Sequence, residues 1–441
     1  MATVPTAHTV EPITPGAASQ APRRHLSMFS NSITLIGSKV AAMGLGFLFW
    51  VLAARLFSQH QVGLAAGVVS AMMLCTQLAL LGLGNAVIAR FPRHQDRPAA
   101  LLDTAFTLVA VTAAIGGGLF LLLASGVFTE LDAVSHELSY ALLFLAATAF
   151  GTIGILLDQV STTLRRGDHA LLRGLAFGAI AAGSLGLIAA LTDAQSAQAL
   201  LVPWVLAGAG AFLIGMVQLR RTLEGYRLRP RIERPIAREL VLSGLPNYAL
   251  TLSQRAPGLI LPVVVVELLS PEANATWYAA WMMAWIVYIV AIQVELTTFA
   301  EVAHDPGSLR LSIRRGVRAS LGIGVPAALV LALAAHPLLS ILGPEYADAG
   351  VTPLRILVVA IVPLTFVQIY YAACRGVGRL NEAIVAGWIT GAVSISAAAA
   401  AGAAEGLTAM ALTWLAVQVL AGLWAWWRLS RVGLSAPARS S

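Results

Sequence analysis

Lysine is almost absent from this 441-residue chain, in which Lys39 is the only lysine among 28 basic residues. A nucleotide-binding P-loop requires Gly-Lys followed by Ser or Thr, and the only lysine lies in GSKVA, so the chain has no such loop. Neither HExxH nor GxSxG occurs, and the eight histidines are scattered along the chain. These absences argue against an ATPase of the P-loop kind, a metalloenzyme and a serine hydrolase.

Charge and cysteine are also scarce. Only 11% of the residues are charged, 58% are hydrophobic, and the mean hydropathy is +0.80, which is typical of an integral membrane protein. The two cysteines, Cys75 and Cys374, both lie in apolar runs, so we expect neither a disulfide framework nor a cysteine metal site. We expect no cofactor, no metal and no nucleic-acid partner.

Twelve apolar windows are long enough to cross a membrane as helices of about 20 residues. They centre near residues 42, 73, 112, 148, 181, 209, 254, 287, 325, 361, 392 and 416. Counted by connecting segment, 24 of the 28 basic residues fall on one side of the predicted membrane. The positive-inside rule then places both termini in the cytoplasm of a multi-pass protein of the inner (plasma) membrane. The four exceptions are Lys39, Arg55, Arg255 and Arg355.

The fold class predicted is therefore all-α, with about twelve transmembrane helices in two six-helix lobes. The predicted organisation is a disordered tail at 1–25, a lobe at 26–219, a basic cytoplasmic linker at 220–239, a second lobe at 240–428 and a tail at 429–441. Because both lobes begin on the cytoplasmic side, an internal repeat would be parallel, with its axis along the membrane normal.

Two cations lie near the middle of corresponding spans, Lys39 in span 1 and Arg255 in span 7. Each follows an asparagine, Asn31 or Asn247, by eight residues. A cation at the membrane centre costs about 3 kcal/mol on insertion scales, so it is rarely left facing lipid. The functional interpretation is that both project into one central cavity and bind an anionic substrate. The alternative is that Lys39 extends along its own aliphatic stem toward the cytoplasm, or pairs with a carboxylate such as Asp158 or Glu295.

Two carboxylates, Asp158 and Glu295, lie late in spans 4 and 8, near the predicted cytoplasmic ends. Intramembrane carboxylates can relay protons or bind cations, so both are candidates for ion coupling. The alternative is contact with interfacial water or with neighbouring arginines. Arg55 and Arg355 lie near the predicted outer face. Arg55 is a further candidate for substrate binding, and the alternative for both arginines is an interfacial anchor.

The short connections also bear on function. Membrane polysaccharide polymerases and ligases often carry a large extracytoplasmic loop, and no predicted outer loop here is much longer than about 15 residues. An enzyme is therefore the weaker hypothesis, and we predict that the chain is not one.

Three stretches carry a resemblance to a known family. Their sequences are AARLFSQHQVGLAA at 53–66, LGLGNAVIARF at 81–91 and CRGVGRLNEA at 374–383. Together with Asn31, they resemble the polysaccharide flippases, which are relatives of O-antigen and teichuronic acid exporters in the multidrug/oligosaccharidyl-lipid/polysaccharide exporter superfamily.

The resemblance implies two six-helix lobes that open alternately to the two membrane faces. It also implies a polyprenyl diphosphate-linked oligosaccharide as substrate, with membrane lipids and other glycan-assembly membrane proteins as partners. Phe57 and Ser58 depart from the family pattern, and span 1 lacks the acidic residue that cation-coupled drug exporters use. A cation-coupled multidrug exporter and a membrane polysaccharide polymerase or ligase are the alternatives.

Overall fold

The computed structural model describes residues 44–192 and 195–432, and these residues fold almost entirely into helices. The first half of the described chain contains eight helices. They are α1 (Gly44–Leu56), α2 (Gln59–Leu80), α3 (Leu83–Arg90), α4 (Pro98–Val127), α5 (Ala133–His136), α6 (Leu138–Thr163), α7 (Gly167–Leu191) and α8 (Ala197–Thr222). A 3₁₀ turn, Phe91–Arg93, follows α3.

The second half contains seven helices. They are α9 (Arg234–Leu268), α10 (Pro271–His304), α11 (Leu309–Leu333), α12 (Ala335–Ser340), α13 (Pro344–Val359), α14 (Ile361–Gly376) and α15 (Leu380–Val432). A second 3₁₀ turn, Pro306–Ser308, precedes α11. The residues between α8 and α9 form the non-helical linker, 223–233.

Eleven membrane crossings can be counted in the described ranges. Nine helical segments are long and apolar enough to span a membrane, and α13 with α14, bent by 42°, makes a tenth. Helix α15 has 53 residues but is broken at Gly406, which has φ 79° and ψ −168°. A straight helix of that length would reach about 80 Å, well beyond a hydrocarbon core of about 30 Å, so α15 is two crossings. The apolar α1 is shorter than the length of a crossing, and it lies within the first predicted window, centred near residue 42. The expected all-helical multi-pass fold is confirmed.

Local sequence explains several helix boundaries. Ser58, Ser196 and Ser270 each precede a helix and accept a hydrogen bond from a backbone N–H of its first turn, as N-cap serines do. Helix α2 ends at Leu80, and the two residues that join it to α3, Leu81 and Gly82, both have positive φ. Two features favour glycine at position 82. Its φ is +74°, which residues with a Cβ rarely adopt, and its backbone lies against that of Gly244 on α9.

Helices α2, α9 and α10 join the two halves of the molecule. Helix α2 contacts both α9 and α10, while α3 and α4 contact α9. Two glycines make this approach possible: a Cβ at Gly82 would lie 2.5 Å from the carbonyl oxygen of Gly244, and a Cβ at Gly63 would overlap the carbonyl oxygen of Pro271. The backbones of the two halves therefore touch near both ends of α2.

Candidate substrate-binding site between the two halves

The predicted cation site is described only on its α9 side. Asn31 and Lys39 lie outside the described residues, so the pairing of Lys39 with Arg255 stays a prediction. Asn247 and Arg255 lie on α9, and both are exposed. The candidate site is therefore built here from α9 and the helices that it faces.

Arg255 lies on the face of α9 that is directed toward the first half. Positions 244, 248, 255 and 266 share one face at helical spacing. The hydroxyl of Tyr248 donates to the backbone carbonyl oxygen of Gln77 on α2 at 2.7 Å, and Val266 lies against Gly67 of α2. Arg255 lies between these two points of contact in sequence, so the helix register places it on the face of α9 that packs toward the first half.

The guanidinium of Arg255 has no hydrogen-bond or ion-pair partner among the described residues. An unpaired cation at mid-membrane depth is costly unless an aqueous space or an anion meets it. The arrangement can therefore bind an anionic group that enters between α2 and α9.

The outer end of the bundle, which is the end predicted to face the outside, is closed by contacts between the halves. The side-chain amide of Asn274 on α10 donates to the carbonyl oxygen of Gly63 at 2.8 Å, and Asn274 is fully buried. His60 Nδ1 lies 2.7 Å from Glu272 Oε1. The ring of Trp50 lies 4.8 Å from that of Tyr278, centroid to centroid. These contacts hold α1 and α2 against the start of α10.

Glu267 adds a second closure at the outer end, and it was not among the predicted site residues. Its carboxylate accepts hydrogen bonds from three successive backbone N–H groups in the loop before α5, at Thr129 (2.8 Å), Glu130 (3.2 Å) and Leu131 (3.0 Å). The hydroxyl of Thr129 also donates to it, at 3.1 Å. One carboxylate at the end of α9 thus ties the second half to a loop of the first half.

Arg55, a predicted substrate-binding residue, takes part in the outer closure. Its Nε donates to the carbonyl oxygen of Ile341 at 2.8 Å and its Nη2 to that of Ser340 at 3.2 Å. Arg55 lies at the end of α1, whereas the two carbonyls lie at the end of α12. Arg355, by contrast, donates within its own half, to Ala332 at 3.1 Å.

At the arginine-rich end, which is the end predicted to face the cytoplasm, ion pairs join the first half to the linker and the first part of α9. Glu239 pairs with Arg90 and His94, each at 3.2 Å, and Glu233 pairs with Arg97 at 3.2 Å. The first part of α9 therefore lies on the first half, while α10 and its neighbours are joined to that half at the outer end.

Glu295, a predicted ion-coupling residue, is paired within the second half. Its side chain is only 2% exposed, and Arg375 Nη1 of α14 lies 3.1 Å from its Oε1. Arg375 also donates to the carbonyl oxygen of Asn247 at 3.5 Å. The buried pair therefore touches α9 two turns from Arg255.

Asp158, the other predicted ion-coupling residue, is paired in the first half. Arg173 Nη2 lies 2.7 Å from Asp158 Oδ1, and Arg173 also donates to Ser161 and Gln218. Here the cation is the buried partner, since the side chain of Arg173 is 5% exposed and that of Asp158 is 57% exposed. Asp158 and Glu295 thus differ in how much water reaches them.

The chain matches a known family over much of its length. A family model described as polysaccharide biosynthesis protein matches residues 51–352. The chain belongs to this family. No curated protein matches it.

Solved structures show the same fold at low sequence identity. The chain is similar to an inward-facing multidrug resistance MATE family transporter of the MOP superfamily, with TM-score 0.71 and 15% identity over 90% of this chain and 96% of that one. It is similar to the lipid II flippase MurJ in an inward closed conformation, with TM-score 0.69 and 13% identity over 91% and 90% of the two chains. A MOP superfamily transporter from Pyrococcus furiosus gives TM-score 0.62 and 15% identity over 92% and 96%.

Sequence analysis offered neighbouring arginines as the alternative partners of Asp158 and Glu295 in this polysaccharide biosynthesis protein, and the structure shows that these are Arg173 and Arg375. The sequence did not predict the individual pairs. The same holds for a third cluster at the inner end, in which Glu382 accepts from Tyr370 at 2.9 Å and from Arg428 at 2.6 Å. A carboxylate inside the membrane usually pairs with a cation, so the sequence predicts that a pair exists. It does not indicate which arginine is the partner.

Proposed function

We propose that this chain is a transporter that flips a polyprenyl diphosphate-linked oligosaccharide, or a related anionic glycolipid, across the plasma membrane for cell-surface polysaccharide synthesis. The family match and the transporter fold support this proposal. The observation that carries it is Arg255, an exposed guanidinium without a described partner that lies between two points where α9 contacts α2.

A diphosphate suits this position because charge-assisted hydrogen bonds to a guanidinium are strong and are stronger still away from water. Lys39 is proposed as the second cation, and Asn31, Asn247 and Arg55 as further substrate contacts. The exposed amide of Asn247 lies two turns from Arg255 on α9, where it can donate to a sugar hydroxyl or a phosphate.

Alternating access requires the outer contacts to break while the inner part of α9 stays on the first half. The outer closure consists of hydrogen bonds to backbone carbonyl and N–H groups, the His60–Glu272 pair, the ring contact of Trp50 with Tyr278 and one glycine contact. The hydrogen bonds among these can be exchanged for bonds to water at a net cost of about 1 kcal/mol each, or about 1.5–3 kcal/mol where one partner is charged. Opening at this end would expose the α2–α9 space to the outer leaflet.

The driving force is proposed to be an ion or membrane-potential gradient, because the sequence contains no P-loop. Glu295 is the proposed coupling group in the second half, since protonation of its buried carboxylate would release Arg375 to bind an anion. Asp158 is the corresponding proposal in the first half. No covalent step is required, so the chain acts as a transporter and not as an enzyme.

Analysis of lipid-linked glycans by mass spectrometry after deletion of the gene tests the proposal. We expect a glycosylated polyprenyl diphosphate to accumulate while surface glycan is lost. Normal surface glycan without accumulation would overturn the proposal. A changed resistance to cationic compounds alone would favour a multidrug exporter. Lengthening or transfer of a glycan by the purified protein would favour a polymerase or ligase.

A further inference from the structure

The linker between the halves forms a fixed strap along the start of α4. The hydroxyl of Tyr226 and the backbone N–H of Arg229 both donate to Oδ1 of Asp103, at 2.8 Å and 3.1 Å. Asp103 is 5% exposed. Burial raises the pKa of the Tyr226 phenol, which keeps it a donor.

Two threonines of α4 extend this attachment. The backbone N–H of Arg231 donates to Thr107 Oγ1 at 3.1 Å, and that of Glu233 donates to Thr104 Oγ1 at 3.2 Å. Four hydrogen bonds from the linker to side chains of α4 thus fix the path of the linker backbone. They also fix the positions from which its arginine side chains extend.

A pocket of about 510 Å³ lies between this strap and the start of α4. Four arginines line it, at positions 97, 227, 229 and 231. The opposing carboxylates are Asp103, Glu224 and Glu233. Asp103 is already bound by its two donors, and Glu233 is paired with Arg97 and Arg231.

Two of the lining arginines are available for a ligand. The guanidinium groups of Arg227 and Arg229 are exposed and have no partner in residues 44–192 or 195–432. The first turn of α4 also lines the pocket at Ala99 and Ala100. It offers few free N–H groups, because Pro98 has none and the N–H of Ala100 donates to the carbonyl oxygen of Arg97 at 3.2 Å. Two guanidinium groups that line one pocket favour a phosphate group, because each can donate charge-assisted hydrogen bonds to its oxygens.

The position of the pocket identifies the source of that phosphate. Helix α4 begins at Pro98, and its apolar crossing begins within one turn, so the pocket lies at headgroup depth at the inner end of the bundle. Basic pockets at this depth bind the headgroups of anionic lipids of the cytoplasmic leaflet.

We propose that the pocket between the linker and α4 binds the phosphate of an anionic phospholipid headgroup, at a site separate from the α2–α9 substrate site. The bound lipid holds the linker, and therefore the start of α9, on the first half. It acts as a structural ligand of the connection between the halves and is not transported.

Native mass spectrometry of the purified full chain tests the proposal with phosphatidylglycerol, phosphatidylcholine and inorganic phosphate as probes. We expect retention of phosphatidylglycerol to exceed that of phosphatidylcholine, and we expect Arg227→Gln with Arg229→Gln to lower it about tenfold or more. The matched control is Arg314→Gln with Arg318→Gln, two exposed arginines near the start of α11, which should leave retention nearly unchanged.

Three outcomes would overturn the proposal: equal retention of both lipids, an equal loss in the control variant, or competition by inorganic phosphate at concentrations comparable to those of the lipid. If the double variant does not fold, photocrosslinking of the unmodified chain with a diazirine phosphatidylglycerol replaces it. Labelling should then fall on residues 97–103 and 223–233, and labelling confined to other regions would count against the site. Neither readout involves the transported substrate, so a negative result leaves the proposed function unaffected.

Discussion

The side-chain amide of Asn274 donates to the backbone carbonyl oxygen of Gly63 at 2.8 Å, at the point where α2 and α10 are closest. The bond links one half of the molecule to the other, and it forms only because residue 63 has no side chain. A Cβ there would overlap the carbonyl of Pro271. Closure at the outer end therefore depends on this glycine.

We predict that Gly63→Leu opens the outer end, because α10 can no longer reach α2. The measurement is the labelling rate of a cysteine at Ala273 by a membrane-impermeant maleimide, with Cys75 and Cys374 replaced by alanine. The rate should rise several-fold in Gly63→Leu. Gly118→Leu is the matched control, since a Cβ at Gly118 meets nothing within 4 Å. Equal rates in both variants would show that the glycine contact does not control access.

Removal of the charge at Arg255 should lower transport without unfolding the protein. A hydrogen bond to a charged group is worth about 1.5–3 kcal/mol, so we expect Arg255→Gln to reduce transport of the lipid-linked glycan about tenfold to hundredfold. Arg255→Lys should retain part of the activity because it keeps the positive charge. Reconstituted vesicles and a leaflet-specific glycan probe provide the measurement.

Arg318→Gln serves as the control for Arg255, since this exposed arginine of α11 lies outside the site. Full activity of Arg255→Gln, with normal insertion, would contradict the proposal that this guanidinium binds the substrate.

The pair of Glu295 and Arg375 makes a prediction about stability. Breaking a buried ion pair by removing one partner costs about 3–5 kcal/mol, because the other charge is left uncompensated. We therefore expect Arg375→Gln to lower the thermal unfolding temperature clearly. Glu295→Gln in the same chain should restore much of the loss, since the uncompensated carboxylate is then absent.

Arg173→Gln, which removes the cation of the Arg173–Asp158 pair, is the comparison for Arg375→Gln. Its carboxylate partner, Asp158, is 57% exposed, so the charge that remains is less buried than that of Glu295. The unfolding temperature should therefore fall less than in Arg375→Gln. A larger fall in Arg173→Gln would show that burial of the carboxylate does not determine the cost.

Asp103 should control the order of the linker. In Asp103→Ala, the hydroxyl of Tyr226 and the N–H of Arg229 lose their acceptor, at a cost of about 1–3 kcal/mol for a buried unpaired group. Hydrogen exchange of the amides at 226–233 should then become faster. Asp96→Ala, an exposed aspartate just before α4, should leave that exchange unchanged. Unchanged exchange in Asp103→Ala would mean that other contacts hold the linker.

The sequence was sufficient to predict the all-helical multi-pass fold and the family. Hydropathy is a local property, so each apolar window could be recognised without knowledge of its neighbours. The break within α15 illustrates this, since the two predicted windows, centred near 392 and 416, lie on either side of Gly406. The orientation of the termini and the lobe boundaries stay predictions, although α8 ends at Thr222 and α9 begins at Arg234, close to the predicted linker.

The candidate site could be predicted only in part. Arg255 was identified because a mid-membrane cation is unusual in any sequence. The face that it occupies became clear only from the contacts of Tyr248 and Val266 with α2. Glu267 was missed because an acidic residue in an outer loop is ordinary, and its role depends on three N–H groups that lie more than 130 residues earlier in the chain.

By itself, then, the sequence determined where the chain crosses the membrane, because a helix must satisfy its backbone groups within one apolar segment. Only the tertiary structure decided which charges are paired and which are not. Glu295 finds Arg375 across 80 residues, whereas Arg255 has no partner among the described residues. Long-range pairing depends on which helix faces come together, and that choice belongs to the packing of the whole bundle.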